Sequence, residues 1–146
     1  MFWRPTLTSI EETRSVLIYD DADTKPNNVL MNLELLTKRL RLTPLTERDI
    51  DISIAIWTDP EVVKYICEPA TVEELETEIP LVIRRGGNGC IGIWCVADRL
   101  TAEKYGEAYL LPMPVEQDDV DHSVLVADKM PDGEIELGYF LKKTAW

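Results

Sequence analysis

The sequence has no long hydrophobic run, and its N-terminus lacks a secretion signal. No stretch of 18 or more apolar residues occurs among the 146, so none is long enough to cross a bilayer as a helix. The opening segment, "MFWRPTLTSIEETRSV", lacks the basic and then apolar layout of a signal peptide. We therefore expect a cytoplasmic protein. The length and the 45% hydrophobic content suffice for one domain with a sizeable core.

Side chains that bind metals tightly are also scarce. The three cysteines, Cys67, Cys90 and Cys95, are odd in number and fit a reducing compartment. Cys90 and Cys95 are five apart in an expected strand, so their side chains point to opposite faces. His122 is the only histidine. We expect no metal site and a packing role for all three cysteines. The Gly-x-Ser-x-Gly motif of many serine hydrolases is absent too.

Basic residues are few compared with acidic ones. The chain has 15 Lys and Arg against 27 Asp and Glu, a formal net charge of -12. From Glu103 to Glu136, ten acidic residues occur with only Lys104 and Lys129. Such a surface repels phosphate backbones, so we expect no nucleic-acid partner. It would attract a cationic substrate; the alternative is that these charges only solvate a long polar loop.

The first 30 residues differ in pattern from the rest. They hold one short apolar run, residues 16–19, followed by a polar stretch. We interpret 1–30 as an N-terminal extension, either an ordered arm or a partly mobile segment. Residues 31–146 show regular patterns without an internal repeat, and we interpret them as part of one domain.

A strand and three helix starts open the domain. "LLTKRLRLTPLT" alternates and predicts a strand that ends at Pro44. Capping boxes begin at Thr46 and Thr71, and Asp59 is an N-cap followed by proline. Pro80 is expected to kink or divide the third helix. The expected apolar faces of the first and third helices are Ile50, Ile54 and Trp57, and Leu75, Ile79, Val82 and Ile83.

The second part of the domain has the pattern of strands. "CIGIWCVAD", "GEAYLLPMP" and "EIELGYFL" have strand length, and "HSVLVA" predicts a shorter strand between the last two. The connections are short enough for hairpins. The sequence therefore predicts an α+β fold, with helices packed on a mainly antiparallel sheet.

Three of these segments, in order, resemble the GNAT N-acetyltransferases, in particular the RimJ/RimL-like (ribosomal-protein-acetyltransferase-like) branch. "LLTKRLRLTPLTERDID" is similar to the first strand and helix of that family, "WTDPEVVKYI" to the next helix start, and "EIELGYFLKK" to the fourth strand. The resemblance covers residues 33–146. It implies a GNAT-like fold and transfer of an acetyl group from acetyl-CoA, without a metal, to a primary amine such as a protein N-terminus or a small amine.

The resemblance also predicts that the domain is incomplete. In the family, a strand like residues 134–141 diverges from the next strand, and the wedge between them holds the pantetheine arm of acetyl-CoA. A glycine-rich loop then leads into a helix and binds the pyrophosphate. "KKTAW" ends where that loop is expected, so the resemblance implies a missing C-terminal part. It further implies that acetyl-CoA binding is weak or absent and that this fragment can be inactive. "GGNG", residues 86–89, lies before the strands, and we interpret it as a turn.

The resemblance places the catalytic candidates on the last strand. Glu136 is at the family's acidic position and is the first candidate for the base that takes a proton from the amine. Glu134 is the second candidate. Tyr139 is a candidate acid for the leaving thiolate. The alternatives are a hydrogen-bonded carboxylate for Glu136, a solvated residue for Glu134 and a core aromatic for Tyr139.

The same strand and the helices supply the candidate binding residues. Phe140 and Leu141 are expected to contact acetyl-CoA through their backbone. Gly138 is expected either to allow a ligand to approach closely or to form a β-bulge. Trp57 and Tyr65 are candidates for the acceptor pocket. The alternative for both is a buried aromatic that anchors the core.

A second hypothesis comes from a different functional class. A GNAT-like half-domain without activity would use the open edge of its final strand to pair with another chain, as a homodimer or with a complementing segment. Both hypotheses require that strand at an edge of the sheet. A final strand flanked on both sides by its own chain would contradict them.

Overall fold

The computed structural model describes residues 33–112 and 122–146, which belong to the compact unit Met31–Trp146. The predicted extension, 1–30, and most of the acidic insertion, 113–121, lie outside the described residues. The strands are β1 (Leu35–Leu36), β2 (Leu40–Pro44), β3 (Gly92–Asp98), β4 (Lys104–Pro112) and β5 (Ile135–Leu141). The helices are α1 (Ile50–Trp57), α2 (Pro60–Val63) and α3 (Val72–Val82). None of the helices in these ranges is long and apolar enough to cross a membrane.

The five strands form one antiparallel sheet in the order β1-β2-β3-β4-β5, the same as their order in the chain. The predicted α+β fold with a mainly antiparallel sheet is confirmed. Within the described part of the chain, β5 pairs with β4 alone and forms one edge of the sheet. The final strand is therefore at an edge, as both functional hypotheses require.

The first predicted strand is a hairpin instead. β1 and β2 pair antiparallel, with Leu36 opposite Arg41. In the turn between them, the Thr37 hydroxyl accepts hydrogen bonds from the backbone N–H of Arg39 (3.2 Å) and of Leu40 (2.8 Å). A threonine hydroxyl that satisfies two N–H groups stabilises such a tight turn without glycine. The predicted end at Pro44 is confirmed.

The three predicted helix starts are confirmed. The Asp49 carboxylate accepts from the Thr46 N–H (3.0 Å) in a 3-10 turn that leads into α1. Asp59 accepts from the Glu61 N–H (2.9 Å) at the start of α2. Both bonds of the second capping box, between Thr71 and Glu74, are present in α3. Pro80 does not divide α3, which continues to Val82.

The core lies between the helices and one face of the sheet. Its buried members come from both layers: Leu45, Ile52, Ile56, Ile79, Ile93, Cys95 and Leu111. In α1 the buried apolar positions are Ile52 and Ile56 rather than the expected Ile54, while Ile50 and Trp57 are partly buried. Cys95 packs in this core as predicted. Cys67 and Cys90 are exposed, so a packing role is wrong for them.

Two connections outside the helices and strands, residues 86–89 and 122–129, contact each other. Residues 86–89 form a turn as predicted, with Gly87, Asn88 and Gly89 all at positive φ. The predicted strand "HSVLVA" is wrong: it contains a 3-10 turn, His122–Val124, and then an isolated bridge between Val126 and Lys129. The Gly87 N–H bonds to the carbonyl of Val126 (3.2 Å), which ties this segment to the glycine turn instead of the sheet.

Candidate active site

One face of the β4–β5 pair brings the candidate residues together. Glu107 is opposite Phe140 in the register, and Tyr109 is opposite Gly138. Side chains two apart on a strand share a face, so Glu136, Gly138 and Phe140 lie on the same side as Glu107 and Tyr109. This side faces the core, because Phe140 and Tyr109 pack against it.

The centre of this face is a buried carboxyl group on β4. Glu107 is only 2% exposed. One oxygen accepts from the Ser53 hydroxyl (2.5 Å) and the other from the indole N–H of Trp57 (3.2 Å). Burial raises the pKa of Glu107, although the bonds from Ser53 and Trp57 act in the opposite direction.

Three aromatic rings connect the buried carboxyl to the edge strand. The Trp57 ring meets Phe140 edge-on, with centroids 4.7 Å apart, and Phe140 stacks on Tyr109 at 5.8 Å. We call Trp57, Phe140 and Tyr109 the aromatic wall. Gly138 makes room for it, since a Cβ there would lie 2.2 Å from the Tyr109 ring. The close approach predicted at Gly138 is thus made by a side chain of the protein itself.

Glu136 lies at the outer end of the aromatic wall. The Tyr109 hydroxyl donates a hydrogen bond to one Glu136 oxygen (3.2 Å). Glu136 is partly exposed, unlike Glu107. Burial raises the pKa of Tyr109, and the neighbouring Glu136 carboxylate acts in the same direction, so the phenol stays a donor. Glu136 therefore combines access to solvent with a fixed orientation, which suits a proton acceptor.

Comparison with known families shows to which family the chain belongs. A model of the acetyltransferase (GNAT) domain matches residues 39–146, nearly three quarters of the chain. The chain belongs to the GNAT acetyltransferase family. No curated protein matches the sequence.

Two solved structures share the GNAT fold of this chain. A GnaT-family acetyltransferase from Bordetella pertussis is 16% identical with a TM-score of 0.52, over 76% of this chain and 59% of that one. An acetyltransferase from Agrobacterium tumefaciens is 17% identical with a TM-score of 0.53, over 86% of this chain and 60% of that one. The chain thus spans about three fifths of the length of both GNAT structures.

The open edge of β5 is where the resemblance predicted the acetyl-CoA contacts. The Lys142 N–H bonds to the Tyr105 carbonyl on β4 (2.9 Å). Backbone groups alternate along an antiparallel strand, so those of Phe140 also face β4, while those of Tyr139 and Leu141 face the open edge. The Leu141 carbonyl accepts from the Trp146 indole (3.1 Å). Of the two predicted backbone contacts, Leu141 is placed at this edge and Phe140 contributes its ring to the wall.

The opposite face of β5 carries exposed apolar side chains. Leu137 is 76% and Tyr139 70% exposed, so Tyr139 is not a core aromatic. Its phenol lies on the other side of the strand from Glu136. The two predicted proton-transfer groups of this GNAT domain are therefore not brought together.

Two further candidates lie outside the aromatic wall. Glu134 is exposed and precedes β5. Tyr65 is 89% exposed after α2, with the Lys64 ammonium 5.4 Å from its ring centroid, so the alternative of a core anchor is wrong for Tyr65. In the ranges 33–112 and 122–146, no group of three or more His, Cys, Asp or Glu side chains is arranged to hold a metal ion.

The sequence interpretation missed Glu107. In "GEAYLL" it alternates with small and apolar residues, the pattern of a charged side chain on an exposed strand face. Its burial depends on α1, which is about 50 residues away in the chain and supplies both hydrogen-bond donors. The one local signal was the spacing of Ser53 and Trp57, which places a hydroxyl and an indole N–H on adjacent turns of one helix face.

Proposed function

We propose that this GNAT domain transfers an acetyl group from acetyl-CoA to a primary amine, with Glu136 as the base. The observation that supports this most strongly is the position of Glu136. It lies on the edge strand, partly exposed and oriented by the Tyr109 hydroxyl. A carboxylate held in this way can take the proton that the amine must lose.

The chemistry needs a neutral amine and a polarised carbonyl. The amine nitrogen forms a bond to the thioester carbon, the carbon–sulfur bond breaks, and the thiolate leaves with its electron pair. Glu136 accepts the proton from the nitrogen, directly or through water. Backbone N–H groups at the edge of β5, which include that of Leu141, are suited to polarise the carbonyl oxygen.

We place the protein in the RimJ/RimL-like branch, with a protein N-terminus or a small amine as acceptor. "WTDPEVVKYI" and "EIELGYFLKK" support this finer assignment. The formal net charge of -12 favours an acceptor with positive charge elsewhere in the molecule. Trp57, whose indole edge meets Phe140 beside β5, is the candidate for the wall of the acceptor pocket.

Release of free thiol from acetyl-CoA in the presence of primary amines tests the proposal. Because the resemblance predicts weak acetyl-CoA binding by these residues, the assay uses a high acetyl-CoA concentration, and we expect slow release that requires both substrates. Glu136→Gln should lower kcat about a hundredfold or more, because general base catalysis contributes that much. Glu76→Gln, on the exposed side of α3, is the matched control and should leave kcat unchanged. Failure of the wild-type protein to release thiol with any amine would refute transfer, and an unaffected Glu136→Gln variant would remove Glu136 as the base.

We keep a binding module as a second candidate, because one observation favours it. The edge strand β5 exposes Leu137 and Tyr139 on one face and has unpaired backbone positions along its outer side in the described part of the chain. Such an edge can pair with a strand of another molecule, either a second copy or a complementing segment.

A further inference from the structure

A carboxyl group at the position of Glu107 is unfavourable for the stability of the fold. It is the only charged side chain that is buried among the described residues. Its two hydrogen-bond partners, Ser53 and Trp57, are neutral donors. Moving a carboxylate out of water without a cation is strongly unfavourable, and hydrogen bonds offset only part of this penalty. A methionine would fill similar space without this cost, so the carboxyl must contribute something other than packing.

The geometry shows what the carboxyl group fixes. Ser53 and Trp57 are four residues apart and lie on adjacent turns of α1. Each donates a hydrogen bond to a different oxygen of Glu107, so a single carboxyl group holds two turns of α1 against the middle of β4. The bond to Trp57 also sets the direction of the indole edge, which a purely apolar contact would not do.

The orientation of Trp57 affects that of Glu136 through the contacts of the aromatic wall. The indole ring lies at 60° to the Phe140 ring, and Phe140 stacks within 22° of parallel on Tyr109. The Tyr109 hydroxyl then donates to Glu136. Packed side chains of this kind shift together, because interiors have little free space. A rotation of Trp57 therefore displaces the ring that orients Glu136.

We propose that Glu107 is a positioning residue that locks Trp57 and, through the aromatic wall, holds Glu136 in place for acetyl transfer. The effect of Glu107 on turnover rests on the proposed function, whereas the effect of Glu107 on the orientation of Trp57 does not. Glu107 touches no reacting atom in this role. It acts through its hydrogen bonds and not through its charge.

Two substitutions separate hydrogen bonding from charge. In Glu107→Gln, the amide oxygen can accept from Trp57 while the amide N–H donates to the Ser53 hydroxyl, so both links survive without the charge. Glu107→Met has similar volume and neither link. We expect Glu107→Gln to keep nearly wild-type kcat. In Glu107→Met, kcat should fall about ten- to a hundredfold, because a shift of about 1 Å in a catalytic group lowers the rate by that much. The loss should fall on kcat more than on KM.

A second measurement does not depend on activity. Hydrogen exchange of the Trp57 indole N–H, with its NMR signal assigned from Trp57→Phe, reports directly on the bond to Glu107. We expect slow exchange in the wild type and in Glu107→Gln and fast exchange in Glu107→Met. If Glu107→Met does not unfold cooperatively, Glu107→Leu replaces it with the same expectations.

The outcomes are distinct. Slow indole exchange in the apolar variant would overturn the lock on Trp57. A Glu107→Gln variant as slow in turnover as Glu107→Met would overturn positioning in favour of a role for the charge. If even the wild type transfers no acetyl group, the proposed function fails, and indole exchange alone decides whether Glu107 locks Trp57.

Discussion

At the scale of residues, two glutamates on one face of the β4–β5 pair have opposite surroundings. Glu107 is enclosed and receives hydrogen bonds from Ser53 and Trp57. Glu136 is partly open to solvent and receives one from Tyr109. A substrate amine cannot reach a carboxyl group that is 2% exposed. The enclosed Glu107 therefore supports the site, and the open Glu136 is suited to act on a substrate.

The surroundings of Glu107 predict a pH dependence of stability. Burial raises the pKa of Glu107, so the folded chain holds this proton to higher pH than the unfolded chain does. Its contribution to the free energy of unfolding is fully present below the ordinary pKa of 4.5 and is lost as pH rises through the folded pKa. The difference in unfolding free energy, wild type minus Glu107→Gln, should therefore fall as pH rises.

Urea denaturation at a series of pH values measures this difference. Hydrogen bonding lowers the pKa of Asp98, which acts in the opposite direction, but that effect is common to both proteins and cancels. A wild-type minus Glu107→Gln difference that rises with pH would show that the hydrogen bonds outweigh burial at Glu107.

At the scale of elements, the capping box of α3 should contribute measurable stability. The Thr71 hydroxyl accepts from the Glu74 N–H (3.2 Å) and donates to the Glu74 carboxylate (2.8 Å). Thr71→Ala should lower the free energy of unfolding by about 1 kcal/mol, as N-cap removal usually does. Thr77→Ala is the matched control: Thr77 lies on the exposed side of the same helix and bonds only to the Glu73 carbonyl. Urea midpoints compare the two, and equal shifts would contradict a capping contribution.

The elements also show which features a single sequence reveals. Helix starts at Thr46, Asp59 and Thr71 were predictable, because a cap and its partner lie within three residues of each other. The β1–β2 hairpin was not, since Lys38 and Arg39 give the turn no glycine or asparagine and the leucines on either side continue one alternating pattern. Pro80 was expected to kink or divide α3, yet the helix continues to Val82, and Ile79 and Val82 on either side of Pro80 pack in or against the core.

The candidate site was predictable only in part for a similar reason. The resemblance pointed to Glu136 and Phe140 because they lie in a short recognisable strand. The pairing of that strand with β4, and the cover that α1 provides, are long-range contacts with no local signature. Only the structure therefore shows that Glu107 and Tyr109 belong to the candidate site.

At the scale of the whole molecule, we expect self-association through β5, whose outer edge is open in the part of the chain that the structure describes. Leu137 is 76% exposed on this strand. Proteins protect such edges with charged side chains, and a lysine here should block pairing. We expect the wild type to dimerise with increasing concentration in sedimentation experiments and Leu137→Lys to stay monomeric.

A control for this prediction exists elsewhere on the surface. Leu100, 92% exposed in the β3–β4 turn, is an equally apolar side chain away from the open edge. Leu100→Lys should associate like the wild type. A wild-type protein that sediments as a monomer at every concentration would exclude both the homodimer and the use of β5 for pairing between copies.

The strands occur in the sheet in the order of synthesis. Among the five described strands, each one pairs with the strand synthesised just before it, and none is inserted between two earlier strands. The longest delay falls between β2 and β3, while the three helices are being translated. Because each described strand pairs with the one made just before it, a nascent chain can add these five strands one at a time to the growing edge of the sheet.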